Sequence, residues 1–313
     1  MRVFEGSADL GKVGNGCVLT VGNFDGLHLG HQALLQAVTA LGREAGERSA
    51  LFTFDPHPRQ VLYPDRTPPR LMTREQLALG LERAGVDILI REPFTAEFAS
   101  LAPEEFLGEV IGRRIQPTAI FVGRDFHFGR GRSGSGNTLE RLGPELGCRV
   151  EIIPQVYAGG RDVSSTRIRS ALMSGDVEDA TLCLNRPYSI WGRVVPGDRR
   201  GRELGFPTAN LESENELLPR RGVYATRTRR IEDGRPLGGE WFSVTNIGSR
   251  PTFDADRIVT ETHLMDFDGD LYGARLEIAF CARIRDERRF ESVSDLRVQI
   301  EHDVERARHV LSG

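Results

Sequence analysis

The chain has 313 residues, which at roughly 100–200 residues per domain predicts two domains. A net charge of −4 gives no electrostatic footing for coating nucleic acid or an anionic membrane, and no run approaches the ~18 apolar residues of a membrane-spanning helix. The first ten residues include Glu5 and Asp9 and no apolar stretch, so no signal peptide is expected; Cys17, Cys148, Cys183 and Cys281 lie far apart with no CxxC or Cys/His cluster, which predicts neither a zinc site nor a disulfide framework and suits a reduced cytoplasmic setting.

In chain order, short continuous apolar runs at residues 17–22, 50–54, 86–90, 118–123 and 150–153 predict strands buried on both faces. Helical patterns at 31–44, 74–83 and 103–113 alternate with them. That alternation predicts a doubly wound α/β domain around a parallel sheet, with ligands at the carboxyl ends of the strands. Beyond Pro187 the rhythm changes. Residues 189–195, 223–230, 240–247, 258–267 and 274–280 read as strands separated by turns such as Glu232-Asp233-Gly234 and Asp268-Gly269-Asp270, with no helix between them. This predicts an antiparallel barrel or sandwich. Val293, Leu296, Ile300, Val304, Ala307 and Leu311 recur at three- and four-residue spacing, which predicts a terminal helix. The boundary falls near Asn185-Arg186-Pro187 and divides the chain into residues 1–184 and 185–313.

Lys12 is the only lysine, and Val13 follows it. A Walker A loop needs Gly-Lys-Ser/Thr and a protein kinase needs a strand lysine, so ATP phosphates here fall to arginine, histidine, backbone amides and metal. The first strand runs into Asn23-Phe24-Asp25-Gly26-Leu27-His28-Leu29-Gly30-His31. Gly22 and Gly26 permit a tight turn, and His28 and His31, three apart, share a face of any helix that starts there. A helix N-terminus attracts phosphate, and two imidazoles can donate to charge that develops on it. An isolated histidine here would read first as a helix cap or padding; HxGH after a strand and a glycine turn reverses that preference. Phe54-Asp55-Pro56-His57-Pro58 follows the second strand, the segment at 122–134 with Asp125 and Phe128 follows the fourth, and Ser164-Ser165-Thr166-Arg167-Ile168-Arg169 opens a helix. Serine there can cap, and arginine forks suit phosphate oxygens; a turn and a capped helix are the plain alternatives.

In the second half, the loop 197–205 combines glycines, including Gly201 and Gly205, with arginines, as a polyphosphate flap or a solvated turn would. Pro207-Thr208-Ala209-Asn210 puts Thr208 and Asn210 on one side of an extended chain, where a hydroxyl and an amide oxygen can serve Mg²⁺. Strand alternation places Val259, Glu261, His263 and Met265 on one face, so Glu261 is either a solvated charge or a placed base.

The string VGNFDGLHLGHQALL resembles the FMN adenylyltransferase module of bacterial FAD synthetases, within the HxGH nucleotidylyltransferases. Class I aminoacyl-tRNA synthetases share a related signature, but their lysine-rich KMSKS loop has no counterpart in a chain with Lys12 alone. The strings GRVVPGDRRGRELGFPTANL, NIGSRPTF, ETHLMDF and IRDERRF resemble riboflavin kinase. Together they resemble the prokaryotic bifunctional riboflavin kinase/FMN adenylyltransferase family over nearly the whole chain. The fold class implied is α/β, a Rossmann-like doubly wound sheet followed by an antiparallel β-barrel with a terminal helix.

The resemblance implies the following roles. Glu261, His28, His31 and Arg169 are catalytic, with Arg169 a better match than Arg167. ATP is held by Gly22, Asn23, Phe24, Gly26, His28, His31, Ser164, Ser165, Thr166 and Arg169 in one module, and by Gly201, Gly205, Thr208 and Asn210 in the other. Phe54, His57, Pro58, Asp125, Phe128, Arg285 and Glu287 contact flavin, and Thr208 and Asn210 meet Mg²⁺ that arrives with ATP. No organic cofactor stays bound: riboflavin, FMN and FAD are substrates and products, with ATP, ADP and pyrophosphate. No nucleic-acid or membrane partner is expected, and an oligomer is compatible with the sequence. Two other readings stay open, a riboflavin kinase alone and a non-catalytic flavin-binding protein. Asn185 departs from the family's usual glycine.

Overall fold

The apolar runs of the first half assemble into a six-stranded sheet whose pairs are all parallel. The computed structural model describes every residue except 11–15, 198–200, 202–203 and 252–255, so Lys12, much of the loop at 197–205 and the end of NIGSRPTF lie outside the described residues. The chain forms two units: Met1–Pro69 with Arg74–Val163, and Arg70–Thr73 with Ser164–Gly313.

In the first unit, β1 (Arg2–Phe4), β2 (Cys17–Val21), β3 (Arg48–Asp55), β4 (Ile88–Pro93) and β5 (Ala119–Gly123) are followed by a ribbon of β6 (His127–Phe128) and β7 (Gly134–Ser135), then β8 (Arg149–Ile153) and a second ribbon of β9 (Tyr157–Ala158) and β10 (Arg161–Asp162). The sheet order is β1-β4-β3-β2-β5-β8. Strand order reverses at β2, which pairs with β3 on one side and β5 on the other. The crevice beyond the carboxyl ends of β2 and β5 is therefore the topological switch point, where a doubly wound sheet binds ligands. Leu19, Phe52, Ile90, Phe106, Ile120 and Val122 belong to one buried core against the sheet.

Helix Leu29–Ala45 buries Leu34, Leu35, Val38, Thr39 and Gly42, a stripe at helical spacing, and ends at Gly46 in the left-handed conformation. Residues 103–113 differ from the expected single α-helix: a turn at Pro103–Glu105 leads into a π-helix, Phe106–Ile115. Phe106 and Ile111, like Val110 and Ile115, are five residues apart, and the wider turn keeps all four on the buried side.

In the second unit, β11 (Tyr188–Val195), β12 (Ala209–Ser213), β13 (Gly222–Glu232), β14 (Arg235–Pro251), β15 (Asp256–Leu264) and β16 (Arg275–Arg285) close into an antiparallel barrel of order β11-β12-β15-β14-β13-β16. Closure resolves barrel against sandwich and leaves no open edge. The hairpin of β13 and β14 turns at Asp233 and Gly234, both with positive φ (47° and 71°), the geometry of a type I′ turn. Tyr224, Ile278 and Phe280 fill the interior beside a buried chain of hydroxyls. Thr226 meets Ser243 and Thr245, each at 2.8 Å; Ser243 also meets Thr228 at 2.8 Å, and Thr245 meets Thr262 at 3.0 Å. Val223 and Ala225 point the other way, to an outer cluster with Val244, Met265, Ile284, Ala307 and Leu311.

Helices Ser165–Ser174 and Val177–Leu184 belong to this unit. The second ends at Asn185 with φ 55°, so the position where the family favours glycine holds the next residue type that tolerates the left-handed region. The terminal helix is Val293–Ser312. Only the C-terminal half of its apolar stripe is core: Ala307 and Leu311 are buried, whereas Val293 is 69 % exposed.

Candidate active sites

Where β2 ends, Gly26 (φ +92°) and Leu27 (φ +48°) turn the chain sharply into helix Leu29–Ala45. His28 is the N-cap, and its Nδ1 accepts the backbone N–H of His31 at 3.4 Å. That bond leaves Nε2 as the proton-bearing nitrogen of a neutral His28. The two rings stack with centroids 3.6 Å apart, and Phe24 packs on His31 at 4.7 Å. Of the two residues between them, Gly30 lies against the His28 ring: a Cβ there would stand 3.2 Å from His28 Cε1, closer than ordinary contact. His31 Nδ1 and Thr20 Oγ1 are buried without a hydrogen-bond partner among the described residues. Burial, and then the neighbouring His28, hold the His31 imidazole well below the usual histidine range. A helix N-terminus with a stacked imidazole pair and orphaned polar atoms is suited to an anionic ligand.

The other expected residues of the first unit sit around the strand ends. Gly22 and Asn23 continue β2, and Phe24 is buried. Phe54, at the end of β3, is half-buried and meets Phe52, Phe94 and Phe98 edge-on at 5.3–5.8 Å. His57 caps helix Pro58–Leu62 by accepting the Arg59 N–H at 3.1 Å, with Pro58 in the first turn. Asp125 is exposed in the turn after β5. Phe128 is buried in the core, stacked on Phe126 at 5.4 Å.

In the second unit, Ser164 caps helix Ser165–Ser174 by accepting the Arg167 N–H. Arg167 spends its guanidinium on Asp179 of the next helix, at 3.0 and 2.5 Å, with both side chains about 10 % exposed. Arg169, two residues on, is half-buried, and Ser165 and Thr166 lie in the first turn. The sequence ranked Arg169 above Arg167, and in the structure Arg167 fastens two helices.

Pairing register builds the barrel site. Asn210 of β12 is opposite Glu261 of β15, Glu261 is opposite Asn246 of β14, Asn246 is opposite Val223 of β13, and Val223 is opposite Arg285 of β16. This single rung crosses five strands on the outer face, and each member lines a cavity of about 700 Å³. Directly paired residues hold their Cβ atoms about 4.5–5.5 Å apart, so an acid, two amides and a guanidinium share one wall. Val293, Leu296, Ile300 and Val304 of the terminal helix also line the cavity, with Asp303; Val304 packs against the outer core as well. Gly201, Thr208, His263 and Glu287 line the same cavity. His263 Nδ1 meets the Pro207 carbonyl at 2.9 Å and its ring meets Phe206 edge-on, which ties the strand of Glu261 to the segment of Thr208 and Asn210.

Thr208 and Asn210 also line a second cavity, of about 600 Å³, with Gly197, Phe267, Asp268, Leu271 and Tyr272. Gly197 has no side chain because Asn210 fills its place: a Cβ there would fall on the Asn210 amide. Gly205 adopts φ +87°. Sequence reading missed Asn246 and Val223 as site residues. An asparagine inside a strand is disfavoured and was a signal for the first; Val223 became legible only through register.

A histidine pair at a parallel-sheet switch point, and an acid–amide rung that lines one barrel cavity and reaches a second through Asn210, suit a class of two-site transferase. The FAD synthetase family profile matches residues 11–167 and the riboflavin kinase profile residues 184–311. Proteins named bifunctional riboflavin kinase/FMN adenylyltransferase are 36 % identical in Haemophilus influenzae (98 % of each chain), 37 % in Escherichia coli (97 % of this chain, 96 % of that one) and 38 % in Pseudomonas fluorescens (98 % and 97 %). A crystal structure of a macrolide-efflux protein from Streptococcus pneumoniae is 30 % identical with a TM-score of 0.88 and covers 98 % of each chain. The chain belongs to the bifunctional riboflavin kinase/FMN adenylyltransferase family.

Proposed function

We propose that the barrel phosphorylates riboflavin to FMN and that the α/β module adenylylates FMN to FAD, with residues 1–184 and 185–313 as the functional division. The observation that carries the reading is the rung of Asn210, Glu261, Asn246, Val223 and Arg285 in a cavity that the apolar stripe of the terminal helix also lines. A flat, largely apolar ring system with a polar tail fits such a cavity. Thr208 and Asn210 stand between the two cavities, so a hydroxyl reaching from the flavin side and a γ-phosphate reaching from the nucleotide side meet beside Glu261. The ribityl 5′-oxygen attacks the γ-phosphorus, its proton passes to the Glu261 carboxylate, the bridging bond to the β-phosphate breaks, and ADP leaves. The rate gain is positioning and electrostatics.

Among the described residues no group of three or more His, Cys, Asp or Glu side chains could hold a metal. Thr208 and Asn210 offer neutral hard oxygens, which fits Mg²⁺ that brings phosphate ligands and waters of its own. When bound, it neutralises charge on the phosphates. Gly201 lines the larger cavity; the resemblance gives Gly201 and Gly205 to the phosphates and Arg285 and Glu287 to the flavin.

In the α/β module, an FMN phosphate oxygen attacks the α-phosphorus of ATP, the α–β bond breaks, and pyrophosphate leaves. His28 Nε2 and His31, at the helix N-terminus, donate to the oxygens of the reacting phosphate. The family resemblance gives the outer phosphates to Ser164, Ser165, Thr166 and Arg169, which begin a helix of the second unit. Gly22, Asn23, Phe24 and Gly26 frame the nucleotide, and Phe54, His57, Pro58, Asp125 and Phe128 frame the flavin. His31 Nδ1, buried without a partner among the described residues, supports this reading. No described helix is long and apolar enough to cross a membrane, and all four cysteines are free thiols, which fits the proposed cytoplasmic setting.

The test is a time course with riboflavin, ATP and Mg²⁺, separating FMN from FAD. FMN is expected first and FAD after it. FMN alone would reduce the chain to a kinase, and flavin binding without ATP consumption would make it a carrier.

A further inference from the structure

Asp303 is an anomaly of the terminal helix. It lies on the face that turns toward the barrel, between the apolar positions Ile300 and Ala307, and is 2 % exposed. A carboxylate so buried is costly unless fully paired, and a packed apolar residue would serve stability as well or better. Its pairing is complete and points one way. Arg285 Nε donates to both carboxylate oxygens at 3.0 Å, and Arg285 Nη2 donates to Oδ2 at 2.7 Å. Gln299 Nε2 donates to Oδ1 at 2.7 Å. The Gln299 oxygen in turn accepts Arg288, and the Phe290 ring lies against both guanidiniums, at 5.7 Å from Arg285 and 4.8 Å from Arg288. Arg285, Arg288, Phe290 and Asp303 all line the larger cavity.

We infer that Asp303 is a positioning residue for riboflavin: by gripping one edge of the Arg285 fork, and Arg288 through Gln299, it sets the guanidinium–aromatic wall against which the isoalloxazine lies. Arg285 Nη1 donates to the Asp286 carbonyl at 3.0 Å, and a guanidinium has five N–H groups. The grip on Nε and Nη2 fixes the plane in which the remaining N–H groups are offered. The pyrimidine edge of a flavin, with its carbonyls and ring nitrogens, is the matching acceptor set. Asp303 touches no substrate in this scheme. It acts through Arg285, and the inference rests on the reading of this cavity as the flavin site of the kinase.

The experiment uses the full chain and compares Asp303→Asn, Arg285→Ala, the double variant, Gln299→Ala and Glu261→Gln. Steady-state FMN formation is read as separate KM values for riboflavin and ATP, with FMN-to-FAD conversion and thermal melting as controls for folding. Asp303→Asn should raise the riboflavin KM about tenfold while the ATP KM stays within about twofold, the signature of lost ground-state binding to one substrate. Gln299→Ala, which removes one arm of the network, should raise it about threefold. In the Arg285→Ala background, Asp303→Asn should add nothing, because groups that act as one unit are non-additive. The inference is overturned if Asp303→Asn raises both KM values together, leaves the riboflavin KM unchanged, or adds its full effect to Arg285→Ala. A fully active Glu261→Gln would instead overturn the assignment of the cavity itself. Loss of FMN formation in Glu261→Gln with normal riboflavin KM in Arg285→Ala would spare the assignment and sink this inference alone.

Discussion

The two units build their candidate sites from opposite materials. In the α/β unit the site grows from one contiguous stretch, residues 22–31, where a buried parallel strand ends at the switch point and a helix begins. In the barrel it is spread over strands far apart in sequence and exists only as a rung, Asn210–Glu261–Asn246–Val223–Arg285. The first offers helix amides and imidazoles and suits attack by a phosphate that is already anionic. The second offers a carboxylate and suits a hydroxyl that must lose a proton. The chemistry of the nucleophile thus separates the sites as well as the fold does.

The largest effects test that separation. Glu261→Gln should lower riboflavin phosphorylation by about 10²–10⁴-fold, the usual worth of a general base, and leave FMN adenylylation intact. His28→Ala should do the converse by about 10²–10³-fold, as for loss of a transition-state donor. Product chromatography from riboflavin and from FMN reads both, and equal loss of both activities in a folded variant would end the two-site account. Smaller and sharper is the contrast of two arginines in one helix. Arg169→Ala should weaken adenylylation with little change in melting. Arg167→Ala should cost about 3 kcal/mol of stability, because it removes the cation from a largely buried ion pair with Asp179; denaturant titration separates the two, and a stable Arg167→Ala would show that this pair does not hold the helices together.

The smallest effect is on pH. His31 is held neutral in the fold by burial and by His28, whereas an unfolded histidine takes up a proton near pH 6.5. Its folded value is lowered, so the unfolded chain binds more protons below about pH 6.5, and stability is lost as pH falls from there. Thermal unfolding of wild type and His31→Gln should therefore diverge below about pH 6.5, with the variant less acid-sensitive. Parallel curves would mean that His31 titrates normally in the folded protein.

The same contrast explains what the sequence made legible. The doubly wound sheet could be read because its strands are buried on both faces and so are continuous apolar runs. β1 could not, since three residues with no buried side chain leave no pattern. The barrel strands announced themselves through turn chemistry such as Asp233-Gly234. The HxGH pair was visible because helix geometry fixes residues three apart; Asn246 and Val223 were not, because only pairing register brings them beside Glu261. The terminal helix was found by its period, but the same stripe serves as core at Ala307 and Leu311 and as cavity wall at Leu296 and Ile300. Periodicity reports an apolar face and is silent on what covers it.

The hydroxyls inside the barrel carry a consequence for how this sequence can drift. Thr226, Thr228, Ser243, Thr245 and Thr262 are each fully buried and joined in a chain. The direction of each O–H depends on its neighbours, so one change from threonine to valine leaves a buried hydroxyl unanswered, at about 1–3 kcal/mol. Replacing linked members together avoids that penalty. The interior hydroxyls are therefore expected to tolerate replacement as a linked set better than one at a time.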